Sequence, residues 1–197
     1  MIPLFLDFIF PPLCLSCSER CSTKFFCPTC WELCAPPDPL ERCRHCFGEI
    51  SQLGEVCGQC RKGPLLPIER AYVFEAGAPI WRFRKEEPSA IASFAVNQWI
   101  RLEWPVPDAI IPMPDPISES ITKAFASLLE CPLVKALRSE GPRFELKEGL
   151  IKEDLQLLLM NGSNSVESLR AAASALTEAF PKRTYLLSLI PYDHFNS

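Results

Sequence analysis

The chain has 197 residues, of which 48% are hydrophobic and 22% charged, and its formal net charge is −4. This length accommodates one ordinary domain and a smaller one, and the composition is typical of a globular protein. The sequence offers neither the ~20 consecutive apolar residues of a membrane span nor the excess of Lys and Arg with which proteins neutralise nucleic-acid phosphates.

Cysteines dominate the first third of the chain. Eight of the eleven lie in four Cys-x-x-Cys pairs, and the pairs form two sets that repeat at an offset of 29 or 30 residues. A Cys-x-x-Cys turn directs two thiolates at one point, and two such turns complete a tetrahedron around Zn2+. The spacing therefore predicts a double zinc ribbon that binds two zinc ions through Cys14, Cys17, Cys27, Cys30, Cys43, Cys46, Cys57 and Cys60.

A disulfide framework is the alternative interpretation of these cysteines, and it requires an oxidising compartment. Residues 2–10 are apolar, but the stretch is short and Asp7 interrupts it. It also lacks the basic start and the small-residue cleavage site of a secretory signal. We therefore expect a cytoplasmic protein, in which cysteines at this spacing bind metal.

The three remaining cysteines and His45 are assigned roles outside the eight ligands, with an alternative left open for Cys21 and Cys34. Cys21 and Cys34 each follow a pair by four residues, and each either substitutes for a ligand or packs as a small buried thiol, which is the favoured interpretation. Cys131 lies in an apolar stretch and is expected to belong to the core. His45 occupies an inner position of its pair and is expected to point away from the metal.

The organisation of the chain follows from this change in composition. Residues 1–67 contain too little apolar surface to fold by packing alone, and structural zinc contributes ~10–16 kcal/mol in small modules. Their six basic and seven acidic residues, with a formal −2 for each Zn(Cys)4 centre, give a charge of about −5. We predict a double zinc ribbon at residues 1–67 and a second domain at residues 68–197.

The second domain alternates between strand and helix. Hydrophobic patterns predict strands at 70–74, 108–112, 155–160 and 184–190, and helices at 79–84, 88–101, 117–129 and 165–180. A strand start is indicated at 133–135, and a loop or short strand at 140–153. Such alternation predicts an α/β fold with a mostly parallel sheet, in which ligands bind at the carboxyl ends of the strands.

The chain resembles the ComF competence family. The resemblance is carried by the four cysteine pairs and by residues 10–17, 80–85, 110–114 and 157–176, so it spans nearly the whole chain. It implies a small zinc-ribbon domain followed by an α/β phosphoribosyltransferase-like domain with a mostly parallel sheet. It also implies a role in DNA uptake across the inner membrane, with protein partners in that machinery or in DNA processing.

The same resemblance locates a binding loop that has changed. Phosphoribosyltransferases hold the ribose hydroxyls of phosphoribosyl pyrophosphate with two adjacent acidic residues, and these positions fall on Met160 and Asn161. Their Thr-Thr-Gly turn, which cradles the 5′-phosphate at a helix N-terminus, falls on Asn164, Ser165 and Val166. The basic loop that follows an earlier strand in the family is replaced by residues 115–120, which contain no basic residue and pass straight into a helix. Both changes predict a domain without transferase activity.

One polar segment remains as a candidate for binding phosphate or sulfate, although helix capping by Asn164 or Ser165 is the favoured interpretation. It consists of Asn161, Gly162, Ser163, Asn164 and Ser165.

Three functions are thus compared from the sequence. The leading hypothesis is a zinc-binding, ComF-like binding or scaffold component. The main alternative is an enzyme, or a binder of a phosphorylated ligand, that uses the segment 161–165. A third is single-stranded DNA binding by the ribbons, which the charge does not favour.

Overall fold

The structure, a computed structural model, describes residues 12–21, 25–32, 38–50, 55–64, 66–74, 85–141, 143–162 and 165–189. Cys34, Ser163 and Asn164 lie outside these residues, as does the helix predicted at 79–84. Structural statements about the chain refer to the described ranges.

The cysteine-rich part contains little regular structure. It has two short helices, α1 (Pro28–Glu32) and α2 (Gly58–Lys62), and a 3-10 turn at Pro39–Glu41. Two isolated antiparallel bridges, Leu13 with Arg20 and Arg42 with Glu49, close the turn that contains the first cysteine pair of each set. The two halves therefore repeat the same bridge and turn.

A four-stranded, all-parallel sheet forms the centre of the second part. Its strands lie in the order β1-β6-β5-β2, where β1 is Arg70–Val73, β2 is Ala109–Pro112, β5 is Gln156–Asn161 and β6 is Arg183–Ser188. All four residues of β2 and all but the first residue of the other three strands are buried. Continuous burial is typical of parallel sheets covered on both faces, and the predicted α/β class is confirmed.

Three helices follow the strands, close to the predicted positions. They are α3 (Pro88–Arg101), α4 (Pro116–Leu129) and α5 (Val166–Leu176), and a 3-10 turn at Thr177–Ala179 extends α5. Asp115 caps α4 by accepting hydrogen bonds from the backbone N–H groups of Ile117 and Ser118, both at 3.0 Å. Pro116 occupies the first helical position, where the missing N–H costs nothing.

A β-hairpin accounts for most of the polar segment between α4 and β5. Its strands are β3 (Leu137–Glu140) and β4 (Arg143–Leu146), paired antiparallel, with Gly141 at φ 63° in the connection. The sequence indicated a loop or one short strand at 140–153 and so missed β3. The strand start indicated at 133–135 is an isolated bridge between Leu133 and Ile110.

The hydrophobic core is continuous between the cysteine-rich part and the sheet. Trp31 meets Phe94 of α3 with ring centroids 5.4 Å apart, and Phe47 meets Tyr72 of β1 at 4.7 Å. The N–H of Ala71 in β1 donates to the carbonyl oxygen of Arg44 at 2.7 Å. Both cysteine sets are therefore anchored on the α/β part of the chain.

Candidate metal centres

The first cluster consists of Cys14, Cys17, Cys27 and Cys30. Cys14 opens a tight turn, because its N–H donates to the carbonyl of Glu19 and its carbonyl accepts from Ser18, both at 2.8 Å. Cys27 precedes α1, and the N–H of Cys30 points at the Cys27 sulfur at 3.4 Å. A turn and a helix start thus bring two cysteine pairs together.

The second cluster, Cys43, Cys46, Cys57 and Cys60, repeats this geometry. The N–H of Cys43 donates to Gly48 at 2.8 Å, and the carbonyl of Cys43 accepts from Phe47 at 2.7 Å. Cys57 is the N-cap of α2, and its sulfur accepts from the N–H of Cys60 at 3.5 Å. The eight predicted metal ligands are thereby grouped as the sequence repeat predicts.

The sulfur positions fit a tetrahedral ion. Within each cluster the four Sγ atoms lie within 4.8 Å of one another, and Cys17–Cys27 and Cys46–Cys57 are separated by 3.8 and 3.7 Å. A Zn–S bond of ~2.3 Å corresponds to a tetrahedral edge of about 3.8 Å, whereas a disulfide needs ~2.05 Å. Each cluster can hold one metal ion, and the eight thiols are free.

The thiols of the first cluster do not all ionise easily without a cation. Burial raises the pKa of Cys14, but N–H groups of Cys17, Cys27 and Ser16 reverse the effect and bring this pKa to about 6. The pKa of Cys17 is lowered by the N–H of Glu19 but raised on balance to about 12 by desolvation and by the neighbouring sulfurs. Ionisation of one thiol thus disfavours ionisation of the next.

The second cluster shows the same division. Burial raises the pKa of Cys43, and N–H groups of Cys57, Cys46 and His45 reverse this to about 7. Burial and then the charges of Cys43, Cys60 and Cys57 hold the pKa of Cys46 well above its usual range. A bound divalent cation offsets the repulsion between the thiolates and lowers their pKa values, so it stabilises four ionised cysteines at one point.

The residues beside the clusters have other contacts. The Nδ1 atom of His45 lies 3.0 Å from the carbonyl oxygen of Ile68, so this side chain faces the sheet. Cys21 is half-buried against the core and stands outside both clusters. Cys131 is half-buried, with its sulfur 3.6 Å from the carbonyl oxygen of Pro107.

The segment 161–165, the predicted anion-binding segment, begins at the last residue of β5. Asn161 is fully buried, and its Nδ2 donates to Ser188 Oγ of β6 at 2.9 Å. The N–H of Gly162 donates to Ser118 Oγ in the first turn of α4 at 2.7 Å. A Cβ at Gly162 would meet the Cα and N of Ser118 at 3.2 Å, so Gly162 lies directly against the start of α4.

Helix capping accounts for other polar groups at this edge. Ser165 is the N-cap of α5, and its Oγ accepts from the N–H of Ser168 at 3.3 Å. Asp108 is structural too, but it lies at the opposite, amino edge of the sheet, where its carboxylate accepts from the N–H of Gln156, the first residue of β5, at 2.8 Å. At the carboxyl edge, β5 ends with Met160 and Asn161. Neither residue is acidic, so no pair of carboxylates stands at these two positions.

Comparisons with protein-family models and with curated proteins add no evidence to the geometry. No protein-family model matches the chain, and no curated protein matches it. Among the described helices, none combines the length and the apolar character that crossing a membrane would demand. The two tetrathiol clusters are therefore the functional feature that the structure itself displays.

Proposed function

We propose that this chain is a ComF-like, two-zinc protein whose phosphoribosyltransferase-like domain is inactive as a transferase and serves as a binding or scaffold component. By the resemblance, its setting is DNA uptake, and its partners are proteins of that machinery. Eight metal-binding thiols suit a reducing compartment such as the cytoplasm.

The attachment of the clusters to the sheet supports a structural role for the metal. Arg44 and Phe47, which lie inside and directly after the Cys43–Cys46 pair, contact β1. Trp31, which follows Cys30, packs on α3. A metal that orders these residues also orders the surface that they form with the α/β part. Structural tetrathiolate zinc acts in this manner, because all four coordination positions are filled by protein.

The burial of Met160 and Asn161 and the hydrogen bond of Asn161 are the main support for a domain without transferase activity. Both side chains are buried at the end of β5, and Asn161 is already bonded to Ser188. Two ribose hydroxyls need acceptors there, and a hydroxyl buried without one costs ~1–3 kcal/mol. The N–H of Gly162, which a phosphate would need, is also committed to Ser118.

Calorimetric titration of the full chain with phosphoribosyl pyrophosphate and Mg2+ tests this assignment. We expect no heat of binding at micromolar protein, because neither the ribose nor the phosphate finds its partners. The variants Ser165→Glu and Ser174→Glu form a matched pair on α5, since Ser165 caps the helix and Ser174 is exposed on it. Micromolar binding that Ser165→Glu abolishes and Ser174→Glu preserves would show a working anion site and reject the proposal.

A further inference from the structure

A pocket lies next to the start of β1, away from the end of β5. It has a volume of about 440 Å³ and is formed by the second cysteine set, the start of β1 and the end of α3. Four arginines line it: Arg42, Arg44, Arg70 and Arg101. Arg42 and Arg44 are neighbours in the sequence, but Arg70 and Arg101 come from distant segments, so the fold brings these two to the pocket.

The charges around this arginine pocket are unbalanced. Arg44 pairs with Glu55 at 2.8 Å, and Arg42 pairs with Glu49 at 3.5 Å. Within the described residues, by contrast, the guanidinium groups of Arg70 and Arg101 have neither an ion pair nor a hydrogen bond. Two of the four cations are thus available to an anion that enters the pocket.

Apart from Glu55, which pairs with Arg44, the remaining wall of the pocket is apolar. Phe47, Leu102 and Trp104 line it, and Phe47 and Trp104 are held in place by ring contacts with Tyr72 and Tyr185 at 4.7 and 5.2 Å. Pockets of ~300–1,000 Å³ with apolar walls and a few convergent polar groups are typical of small-molecule sites. A bare anion would leave these apolar walls unused.

We propose that the arginine pocket binds a small phosphorylated ligand with a planar or apolar body, of the chemical class of nucleoside monophosphates. Guanidinium groups recognise phosphate with two parallel hydrogen bonds, and Arg70 and Arg101 supply them. The apolar wall receives the body of the ligand. A pocket of this volume takes a mononucleotide rather than a long strand.

This site is independent of the proposed function. Arg70 is the first residue of β1, and every strand of the sheet is parallel, so the pocket lies at the amino edge of β1. Asn161 ends β5 at the carboxyl edge. Loss of transferase activity at one edge therefore leaves the arginine pocket intact.

Calorimetry on the full chain, with its metal content verified, tests the proposal. The probes are adenosine 5′-monophosphate, adenosine and inorganic phosphate. We expect the nucleotide to bind, phosphate to bind more weakly and adenosine not to bind. Arg70→Ala and Arg101→Ala should each weaken nucleotide binding about tenfold or more, because hydrogen bonds to charged groups are the strong ones.

Matched variants separate the pocket from general charge effects. Arg143→Ala removes an exposed arginine of β4 and should leave nucleotide affinity unchanged. Arg101→Lys keeps the charge but loses the planar fork, so it should bind more weakly than the unmodified chain and better than Arg101→Ala. Arg70 and Arg101 are exposed, so their replacement is compatible with folding, which thermal unfolding would verify.

Three results would overturn the assignment. The first is nucleotide affinity that Arg70→Ala and Arg101→Ala do not change. The second is equal affinity for phosphate and nucleotide, which would show a charged patch without a ligand-shaped wall. The third is binding of a single-stranded oligonucleotide through these arginines without any binding of the mononucleotide.

Discussion

At the scale of single residues, the contact between Ser118 and Gly162 determines the state of the β5 edge. Ser118 is 1% exposed, and its Oγ accepts the hydrogen bond of the Gly162 N–H. Gly162 allows this approach because it has no Cβ, which would stand 3.2 Å from Ser118. One glycine and one serine thus hold the end of β5 against α4, and the N–H of Gly162 is already bonded.

Replacement of Ser118 tests the contribution of its hydrogen bond with Gly162 to stability. Ser118→Ala should lower the free energy of unfolding by about 1–3 kcal/mol, because the buried N–H of Gly162 loses its acceptor. Ser174→Ala, on the exposed face of α5, should change it by less than about 0.5 kcal/mol. Urea denaturation measures both values, and equal effects of the two variants would contradict the role of the contact.

At the scale of elements, local sequence accounts for the cysteine turns. The two residues between paired cysteines fix a turn or a helix start, and the backbone N–H of Cys30 or Cys60 then points at the preceding sulfur. Such geometry depends on residues three apart and needs little support from the rest of the chain. This is why the pairing of the eight ligands could be predicted from spacing.

Removal of one ligand should empty one cluster only. Cys43→Ser is expected to lower bound metal from two ions per chain to about one, because a hydroxyl is a poor ligand for a thiophilic ion. Cys131→Ser, which removes a thiol outside both clusters, should retain two. Elemental analysis of the purified variants decides, and an unchanged metal content in Cys43→Ser would contradict the assignment of the second cluster.

The missed hairpin shows the limit of element prediction. The strand β3 is exposed beyond Leu137, and β4 alternates between exposed and half-buried residues. Neither strand has the strong apolar pattern from which strands are recognised. Pairing between the strands, ion pairs of Arg138 with Glu140 and Glu145, and packing on α5 stabilise the hairpin instead.

At the scale of the whole molecule, the first metal cluster and the sheet share one core, whereas the buried cysteines of the second cluster, Cys43, Cys46 and Cys60, form a small core of their own. The buried residues Cys14, Cys27 and Phe47 belong to the same contiguous cluster as the strands of the sheet. The division at residue 67 remains a prediction about folding units. The packing links these two parts more closely than the change in composition suggested.

Removal of metal should therefore weaken the α/β part. With a strong chelator, we expect loss of both ions and a destabilisation of the sheet by about 3–5 kcal/mol, comparable to losing a buried Trp or Phe contact. Fluorescence of the buried Trp99 and Trp104 during thermal unfolding reports on this part. In Trp31→Ala, which already lacks the contact with Phe94, the chelator should have a smaller effect.

An unchanged unfolding temperature of the α/β part after complete metal removal would contradict this coupling. It would instead support two independent domains that meet without stabilising one another.

The sequence by itself determined the cysteine clusters, the alternation of strands and helices, and the absence of carboxylates at Met160 and Asn161. These properties depend on the type of each residue and on short spacings between residues, both of which can be read directly from the sequence. The tertiary structure alone decided the contact of Gly162 with Ser118 of α4 and the gathering of Arg70 and Arg101 into one pocket. Contacts between distant segments depend on how the elements pack, and no local pattern encodes that packing.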